Sequence, residues 1–289
     1  MPETDWLDRN EYPFESRYFQ VPAGRLHYIE EGQGEPIVMV HGNPSWSFMY
    51  RKAIQDLRPN YRCIAFDHLG FGLSDKPWDF DYKPASHSAN FGRFLDHLEL
   101  ESFTLLVHDW GGPIGLGQAV ERPDRIKRLI ILNTWMWSIE DDPQAKRFSA
   151  MAGGPLGRLA IRYGDYFVRG LMPKTFPDRS KFEAVKSFYS SPCRSSRERK
   201  GMWTLPKEVI ASSPWLASLW DRRESIADKP TLLVWALKDP VFRKAALQRW
   251  QGLLRNHRLE KLPGVGHYLA EEIGHQLSPL VEDFMQEPV

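Results

Sequence analysis

Short apolar runs alternate with helical patterns along most of the 289-residue chain, and this alternation limits the folds that the chain can adopt. From the third run onward most are almost continuously apolar, as in 36–40 and 231–236, which is typical of parallel strands buried on both faces. The sequence therefore predicts a doubly wound α/β sheet with functional side chains on loops at the carboxyl ends of strands. Strands are predicted over 17–21, 26–30, 36–40, 62–66, 104–108, 127–132, 231–236 and 257–262, and helices over 47–58, 84–98, 111–121, 241–254 and 271–285.

The alternation stops between Asn133 and Pro230, where helical patterns continue but no run has the character of a strand. This region is interpreted as a helical lid inserted into the core. We therefore predict a core formed by residues 1–133 and 222–289 and a cap formed by residues 134–221. Eight aromatic residues of the cap region could line an apolar pocket, and we expect two or three of them to reach a substrate. They are Trp135, Trp137, Phe148, Phe167, Phe188, Trp203, Trp215 and Trp220.

Acidic and basic residues almost cancel, with 38 Lys and Arg against 37 Asp and Glu, which gives a net charge of +1. Nucleic acids and anionic membranes attract proteins with a concentrated positive field, so the balance argues against both as partners. The basic cluster from Arg194 to Lys200 is interrupted by Glu198, and it is predicted to be a solvated surface.

The amino terminus and the cysteines bear on the location of the protein. Residues 1–6 are acidic and lack the apolar segment of a secretory signal, and no stretch reaches the length of a membrane-spanning helix. Cys63 and Cys193 have no spacing that suggests metal or redox work, so we expect two free thiols. Together these features favour a cytoplasmic protein.

A strand-to-helix turn over Val107 to Gly112 has the setting of a nucleophile elbow. Asp109 occupies the position of the nucleophile, and Gly111 and Gly112 are the small residues that a sharp turn needs. Val107 stands where the G-x-S-x-G pattern has its first glycine, so the motif is matched only in part. His108 adjoins Asp109, but in a continuing strand its side chain points to the opposite side, and it is predicted to be structural.

An acid and a histidine follow this turn in the order nucleophile, acid, histidine, which is the chain order of triads on folds of this kind. Asp239 comes just after the predicted strand 231–236, and His267 ends a glycine-rich loop. Taken singly, an aspartate can simply cap a helix and a histidine can be structural. Because all three residues follow core strands, we predict a catalytic triad of Asp109, Asp239 and His267.

The loop His41-Gly42-Asn43-Pro44 ends the third predicted strand, where this kind of fold places its oxyanion hole. The backbone N–H groups of Asn43 and Trp110 would face a developing oxyanion there. The side-chain amide of Asn43 and the indole N–H of Trp110 are also donors. We predict that they converge beside Asp109 and hold an anion that leaves an alkyl carbon.

These residues make the sequence resemble the haloalkane dehalogenases of the α/β-hydrolase superfamily over nearly its whole length. The glycine-rich segment from Asp67 to Pro77 is shared by many α/β-hydrolases, whereas the combination of Asn43, Asp109 and Trp110 is more specific. The resemblance implies an α/β-hydrolase fold with a mostly parallel, eight-stranded sheet and an inserted lid. The matching stretches are 32–51, 66–77, the turn at 107–112, 237–240 and 264–272.

Members of this family carry the acid after either of two strands. The predicted strand 127–132 is followed by Asn133-Thr134, without a carboxylate. The resemblance is therefore to the subfamily with an Asp-His-Asp triad and an Asn-Trp halide pair, which makes Asp239 the acid and assigns Asn43 and Trp110 to the halide.

The reaction that this resemblance implies is hydrolysis of a haloalkane to a primary alcohol, a halide ion and a proton through an alkyl ester on Asp109. Its partners would be a small apolar halogenated substrate and water. No cofactor is expected, because Gly115 to Val120 lacks the third glycine of a dinucleotide motif. No catalytic metal is expected either, since the histidines lack His-Glu-x-x-His spacing.

Several other activities belong to similar sequences. An epoxide hydrolase would use the same aspartate together with lid tyrosines, for which Tyr163, Tyr166 and Tyr189 are candidates. A fluoroacetate dehalogenase would carry arginines beside the nucleophile, where this chain has Trp110 and Pro113. A coelenterazine-type luciferase stays open, and so does a non-catalytic binding protein, although such proteins typically lose part of the triad.

Overall fold

The computed structural model describes residues 5–288, and most of the segment 1–6, on which the prediction about a secretory signal rests, lies outside them. Eight strands form one sheet in the order β1-β2-β4-β3-β5-β6-β7-β8. The strands are β1 (Arg17–Val21), β2 (Gly24–Glu31), β3 (Glu35–Val40), β4 (Tyr61–Phe66), β5 (Phe103–Asp109), β6 (Ile126–Thr134), β7 (Thr231–Ala236) and β8 (His257–Leu262).

The α-helices fill the connections between the strands. Within residues 5–288, no helix has both the length and the apolarity that crossing a membrane requires. The helices are α1 (Arg51–Leu57), α2 (Pro84–His97), α3 (Gly111–Glu121), α4 (Pro143–Gly153), α5 (Pro155–Gly164), α6 (Arg179–Ser190), α7 (Lys200–Ala211), α8 (Ser213–Asp221), α9 (Lys244–Leu253), α10 (Leu269–Ile273) and α11 (Leu277–Met285).

The sheet is antiparallel only at the β1 and β2 edge, and the pairs from β4 through β8 are all parallel. All seven residues of β5 and all six of β7 are buried, as expected for strands covered by helices on both faces. The central strands therefore form the core, and their carboxyl ends meet at one edge of the sheet.

Two predicted helices differ in detail from those observed. The predicted helix 47–58 begins as a short 3-10 turn over Ser47–Tyr50 before α1. The predicted helix 271–285 is two helices, α10 and α11, separated by a turn that starts at Gly274 with a φ of +55°. Apolar periodicity runs through this break, so the pattern alone did not reveal it.

The helices α4 to α8 lie in the connection between β6 and β7 and, within residues 5–288, this connection contains no strand. The basic cluster 194–200 lies here, and the predicted solvated surface holds only in part, because Arg194 and Arg197 are exposed whereas Arg199 and Lys200 are partly buried. The side chain of Arg199 is only 12% exposed and faces Asp165 at 3.6 Å. The Lys200 ammonium donates to the backbone carbonyls of Trp78 and Phe80. The cluster therefore ties these helices to the loop before α2.

Both cysteines are free and buried, so the expectation of free thiols is confirmed. Burial raises the pKa of the Cys63 thiol to about 12 and that of the Cys193 thiol to about 11. The Cys193 sulfur lies 3.6 Å from the carbonyl oxygen of Gly70 inside the protein.

Candidate active site

The turn after β5 holds Asp109 in a left-handed backbone conformation, with a φ of +50°. An aspartate adopts this region at some energetic cost, and such residues concentrate at functional sites. The Thr134 hydroxyl donates to the backbone carbonyl of Asp109. A Cβ atom at Gly112 would overlap that hydroxyl, so the start of α3 can approach β6 only because residue 112 is glycine.

The departure from the elbow motif at Val107 is compensated by a glycine elsewhere. A Cβ atom at Gly115, on α3, would lie 2.9 Å from the Cγ1 atom of Val107. The valine side chain therefore occupies the space that Gly115 leaves open on the facing helix. Helix α3 packs over the turn as closely as the motif requires, with the small residue on the helix instead of the strand.

The structure brings Asp109, His267 and Asp239 together as one chain of polar contacts. The Nε2 atom of His267 lies 3.6 Å from Oδ2 of Asp109, and its Nδ1 atom lies 3.0 Å from Oδ2 of Asp239. All three residues are buried. Since the three side chains come from the ends of β5 and β7 and the loop after β8, the parallel strands determine their meeting point.

Asn133 orients the Asp239 carboxylate, a role that sequence reasoning missed. Its Nδ2 atom donates to Oδ2 of Asp239 at 2.9 Å, and its Oδ1 atom accepts from the backbone N–H of Ala236 at 2.7 Å. The backbone N–H of Val241 donates to the other carboxylate oxygen at 2.7 Å. Asn133, which the sequence showed only to be no carboxylate, therefore fixes the Asp239 carboxylate at the end of the neighbouring strand β7.

The loop that carries His267 is held by three further contacts. Nε2 of His108 lies 2.8 Å from the backbone oxygen of His267, so His108 turns toward this loop. The backbone N–H of His267 donates to the carbonyl of Thr175 at 3.1 Å. The Glu272 carboxylate accepts from the backbone N–H of Gly266 at 3.0 and 3.1 Å. The first and third contacts come from the core, and the second comes from the helical insertion.

The electrostatic environment favours a protonated His267 next to two carboxylates. Burial alone lowers the pKa of His267, but Asp239, Asp109 and Glu272 outweigh it and leave that pKa raised. Burial raises the pKa of Asp109, while the imidazolium and the backbone amides of Trp110 and Asn43 oppose the rise. Burial also raises the pKa of Glu272 to about 7.

Asn43 and Trp110 both line the cavity beside Asp109. The backbone N–H of Asn43 donates to Oδ1 of Asp109 at 2.8 Å. The side-chain amide of Asn43 lies 3.4 Å from the backbone oxygen of Met202 on α7, and its Oδ1 atom has no partner within residues 5–288. Both residues line the same cavity as Asp109 and His267. Both residues therefore border the same space as the Asp109 carboxylate.

This cavity has a volume of about 690 Å³, within the range of small-molecule sites. Most of its wall is apolar, and both the sheet edge and the helical insertion contribute to it. Four of the eight aromatic residues proposed from the sequence line it, and the expectation that two or three of the eight reach a substrate stays a prediction; the four are Trp135, Trp137, Phe148 and Phe167. Sequence reasoning missed Phe242 and Tyr268, which line it from the core.

The three tyrosines that an epoxide hydrolase would need lie elsewhere. Tyr163 and Tyr166 are exposed, and Tyr189 is buried with its hydroxyl 2.8 Å from Glu271. None of the three is among the cavity-lining residues of the described chain. Tyr268 does line the cavity, and its hydroxyl donates to the backbone carbonyl of Asn43 at 3.4 Å.

Within residues 5–288, no three or more His, Cys, Asp and Glu side chains form a cluster that could hold a metal ion. The polar atoms of the site are instead engaged with one another, as Asp239 is with His267, Asn133 and the amide of Val241. The chemistry available at this site is therefore that of a carboxylate, an imidazole and hydrogen-bond donors.

Residues 35–272 match the alpha/beta hydrolase fold family. The chain is 39% identical over 274 residues to haloalkane dehalogenase 2 of Mycobacterium tuberculosis, a match that covers 93% of this chain and 94% of that protein. It is also 34% identical over 296 residues to the cis-3-alkyl-4-alkyloxetan-2-one decarboxylase of Shewanella oneidensis, which covers 95% of this chain and 89% of that protein.

Solved structures give the same result for the fold. An ancestral haloalkane dehalogenase superposes with a TM-score of 0.81 at 26% identity and covers 94% of this chain and 100% of its own. The haloalkane dehalogenase DbeA from Bradyrhizobium elkani superposes with a TM-score of 0.83, covering 94% and 99% of the two chains, and at 22% identity it bears on the fold alone. The predicted fold, an eight-stranded and mostly parallel sheet with flanking helices, is confirmed.

The contact between Glu272 and the His267 loop leads to a prediction about the imidazole. Glu272→Gln keeps an acceptor for the Gly266 N–H but removes a negative charge that stabilises the imidazolium. The pKa of His267 should therefore fall at pH values where Glu272 is ionised. An NMR titration of the His267 ring measures this shift, with Glu282→Gln on α11 as the matched control. An unchanged or raised pKa of His267 in folded Glu272→Gln protein would contradict the conclusion that the Glu272 charge stabilises the imidazolium.

Proposed function

Because the chain belongs to the alpha/beta hydrolase fold family and is an enzyme of its haloalkane dehalogenase group, a hydrolase of carbon–halide bonds, we propose that it acts through a covalent alkyl ester on Asp109. The observation that carries this proposal is the identity of the nucleophile. The turn that would present a serine in an esterase presents a buried carboxylate, 3.6 Å from an imidazole nitrogen.

In the first step, one oxygen of Asp109 attacks the halogen-bearing carbon, and the carbon–halogen bond breaks as the new carbon–oxygen bond forms. The electron pair of the broken bond leaves with the halide, so no proton is transferred. The wall around Asp109 is apolar, and the Asn43 N–H at 2.8 Å from Oδ1 aims the carboxylate into the cavity. A desolvated carboxylate held in this way is ready for displacement at an sp³ carbon.

Stabilisation of the departing halide is assigned to the side chains of Asn43 and Trp110. Both residues are buried and line the cavity beside Asp109. The Asn43 amide has only a long contact of 3.4 Å to Met202, so exchanging that contact for a halide would cost little. Donors held in place before the reaction stabilise the charge that develops as the bond breaks.

In the second step, water attacks the carbonyl carbon of the ester, with His267 accepting a proton and Asp239 stabilising the imidazolium. Collapse of the tetrahedral intermediate releases the alcohol and restores the Asp109 carboxylate. Ester formation also prepares the base. It removes the negative charge of Asp109, which is one of the causes that raise the pKa of His267, so the imidazole loses its proton more readily once the ester exists.

The helical insertion has a defined part in this proposal, with 134–221 as the cap and the remaining residues as the core. Phe148 and Phe167 of the cap line the same cavity as Asp109 and His267 of the core. Closing an apolar wall over the nucleophile strengthens the electrostatic interactions inside it. The substrate that fits this wall is a small apolar halogenated compound, with water as the second reactant.

A second candidate is decarboxylation of a four-membered lactone, the activity in the name of the Shewanella oneidensis relative. The observation that favours it is the cavity of about 690 Å³, which is more than a short haloalkane fills. An oxetan-2-one would yield carbon dioxide and an alkene, without halide. Parallel assays of a bromoalkane and a dialkyl oxetan-2-one therefore separate the two activities by their products.

Removing either halide donor should slow the reaction without unfolding the protein. Asn43→Ala and Trp110→Phe each delete one side-chain donor, and losing such a donor typically costs about 10²- to 10³-fold in rate. Bromide release from 1,2-dibromoethane measures the effect. Ser45→Ala on the same loop is the matched control, because its hydroxyl contacts only the Gly42 carbonyl at 3.1 Å. Parental rates in both donor variants would contradict the halide assignment.

Replacing the base should separate the two steps. In His267→Phe protein, Asp109 can still displace bromide from 1-bromobutane, because that step needs no base. About one bromide per active site should appear in a burst, and the mass of the protein should rise by one butyl group located on Asp109. The double variant His267→Phe with Asp109→Asn is the control and should show neither. Folded His267→Phe protein without burst or adduct, from an active parent, would refute the covalent mechanism.

A further inference from the structure

A guanidinium group lies in the wall of the cavity on the side of α9. The Cζ atom of Arg249 lies 4.8 Å from the ring centre of Trp137 and 4.3 Å from that of Trp220. The two indoles meet edge to face at 5.1 Å and form an aromatic corner around the cation. Arg249 and Trp137 both line the cavity that contains Asp109. Arg249 is itself exposed to solvent, and its stacking on the two indoles positions the positive charge beside the cavity.

The neighbours of Arg249 do not neutralise this charge. Partial burial lowers the pKa of Arg249, and so does the nearby Arg223. Arg223 itself stacks on Trp220 at 5.0 Å, so two cations share that indole. Within residues 5–288 the Arg249 guanidinium stacks on aromatic rings and makes no hydrogen bond or salt bridge, which leaves its charge available to an anion.

The other charged groups of the cavity wall are already engaged. Asp142 caps the start of α4, where its Oδ1 atom accepts from the backbone N–H groups of Gln144 and Ala145 at 2.7 and 3.1 Å. The Nε atom of Arg243 donates to the backbone carbonyl of Pro240 at 3.3 Å. Asp142, Arg243 and Arg249 all line the cavity, and of the two arginines only Arg249 has no hydrogen-bond partner within residues 5–288.

We propose that the far end of the cavity binds a carboxylate, and that the enzyme accepts halogenated alkanoic acids whose carboxylate contacts Arg249 while the carbon–halogen bond lies at Asp109. This proposal rests on the proposed function, since it names the substrate class of the same site. A guanidinium presents a planar fork of donors that matches a carboxylate, and its stacking on aromatic faces leaves the donors at its edge free. The apolar wall between the two ends fits the methylene chain of such a substrate.

The carboxylate is remote from the bond that breaks, so Arg249 should hold the substrate and the transition state equally well. Its loss should therefore raise KM and leave kcat nearly unchanged. A charge-assisted hydrogen bond contributes enough for about a tenfold change in binding. If Arg249 only packed on the tryptophans, its replacement would change the kinetics with bromoalkanes and with bromoalkanoates to the same extent.

The kinetic test compares ω-bromoalkanoates with 1-bromoalkanes of equal length, from butanoate to decanoate, in the parent and in Arg249→Met. We expect the ratio of kcat/KM for the acid over that for the alkane to fall about tenfold in the variant at the chain length that spans the cavity. Arg223→Met removes a nearby charge on the same indole without touching the cavity, and it should keep the parental ratio. An equal ratio in the parent and in Arg249→Met, or an equal fall in Arg223→Met, would overturn the proposal.

A binding measurement tests the carboxylate site independently of cleavage of the carbon–halogen bond. Unbrominated octanoate should bind the parent about tenfold more tightly than Arg249→Met by calorimetry, whether or not any carbon–halogen bond is cleaved. If the parent binds octanoate in this way but releases no bromide, the result supports the carboxylate site and contradicts the proposed function. If the parent cleaves 1-bromobutane but shows no octanoate binding that depends on Arg249, the result contradicts the carboxylate site alone.

Discussion

A single imidazole between two buried carboxylates is the interaction on which the rest of this site depends. His267 lies 3.0 Å from Asp239 and 3.6 Å from Asp109, and each of these groups would be costly to bury without the others. The arrangement is also asymmetric. Asp239 has an amide side chain and a backbone N–H as further partners, so its position is fixed, whereas Asp109 faces an open cavity. Asp239 is thereby fixed as the partner of the imidazole, and Asp109 faces the space in which it could react.

Both parts of the fold hold this imidazole in place. The core supplies His108 and Glu272, which bind the backbone around His267, and the helical insertion supplies the Thr175 carbonyl. The hydrogen bond from the His267 backbone to Thr175 therefore links the position of the imidazole to the helical insertion. In the proposed chemistry, the insertion that lines the cavity thus also contacts the loop of the residue that would activate water in the second step.

The order of elements along the chain predicted most of this structure, because buried parallel strands have continuous apolar runs that set them apart from helices. The same order placed Asp109, Asp239 and His267 at one edge of the sheet. What it could not predict are contacts between elements distant in sequence, such as Asn133 with Asp239 or Gly115 with Val107. The packing of the helical insertion was equally hidden, since its aromatic residues show no pattern that separates the four lining the cavity from those in the core.

The covalent ester on Asp109 is the central claim, and the origin of the product's oxygen tests it most directly. In a single turnover of 1-bromobutane by excess enzyme in H₂¹⁸O, water that attacks the ester carbonyl adds its oxygen to the Asp109 carboxylate, and the butanol keeps an ordinary oxygen from the protein. We therefore predict unlabelled butanol and one heavy oxygen in the peptide that contains Asp109. Labelled butanol with an unlabelled peptide would mean that water attacks the haloalkane directly, and it would contradict the account.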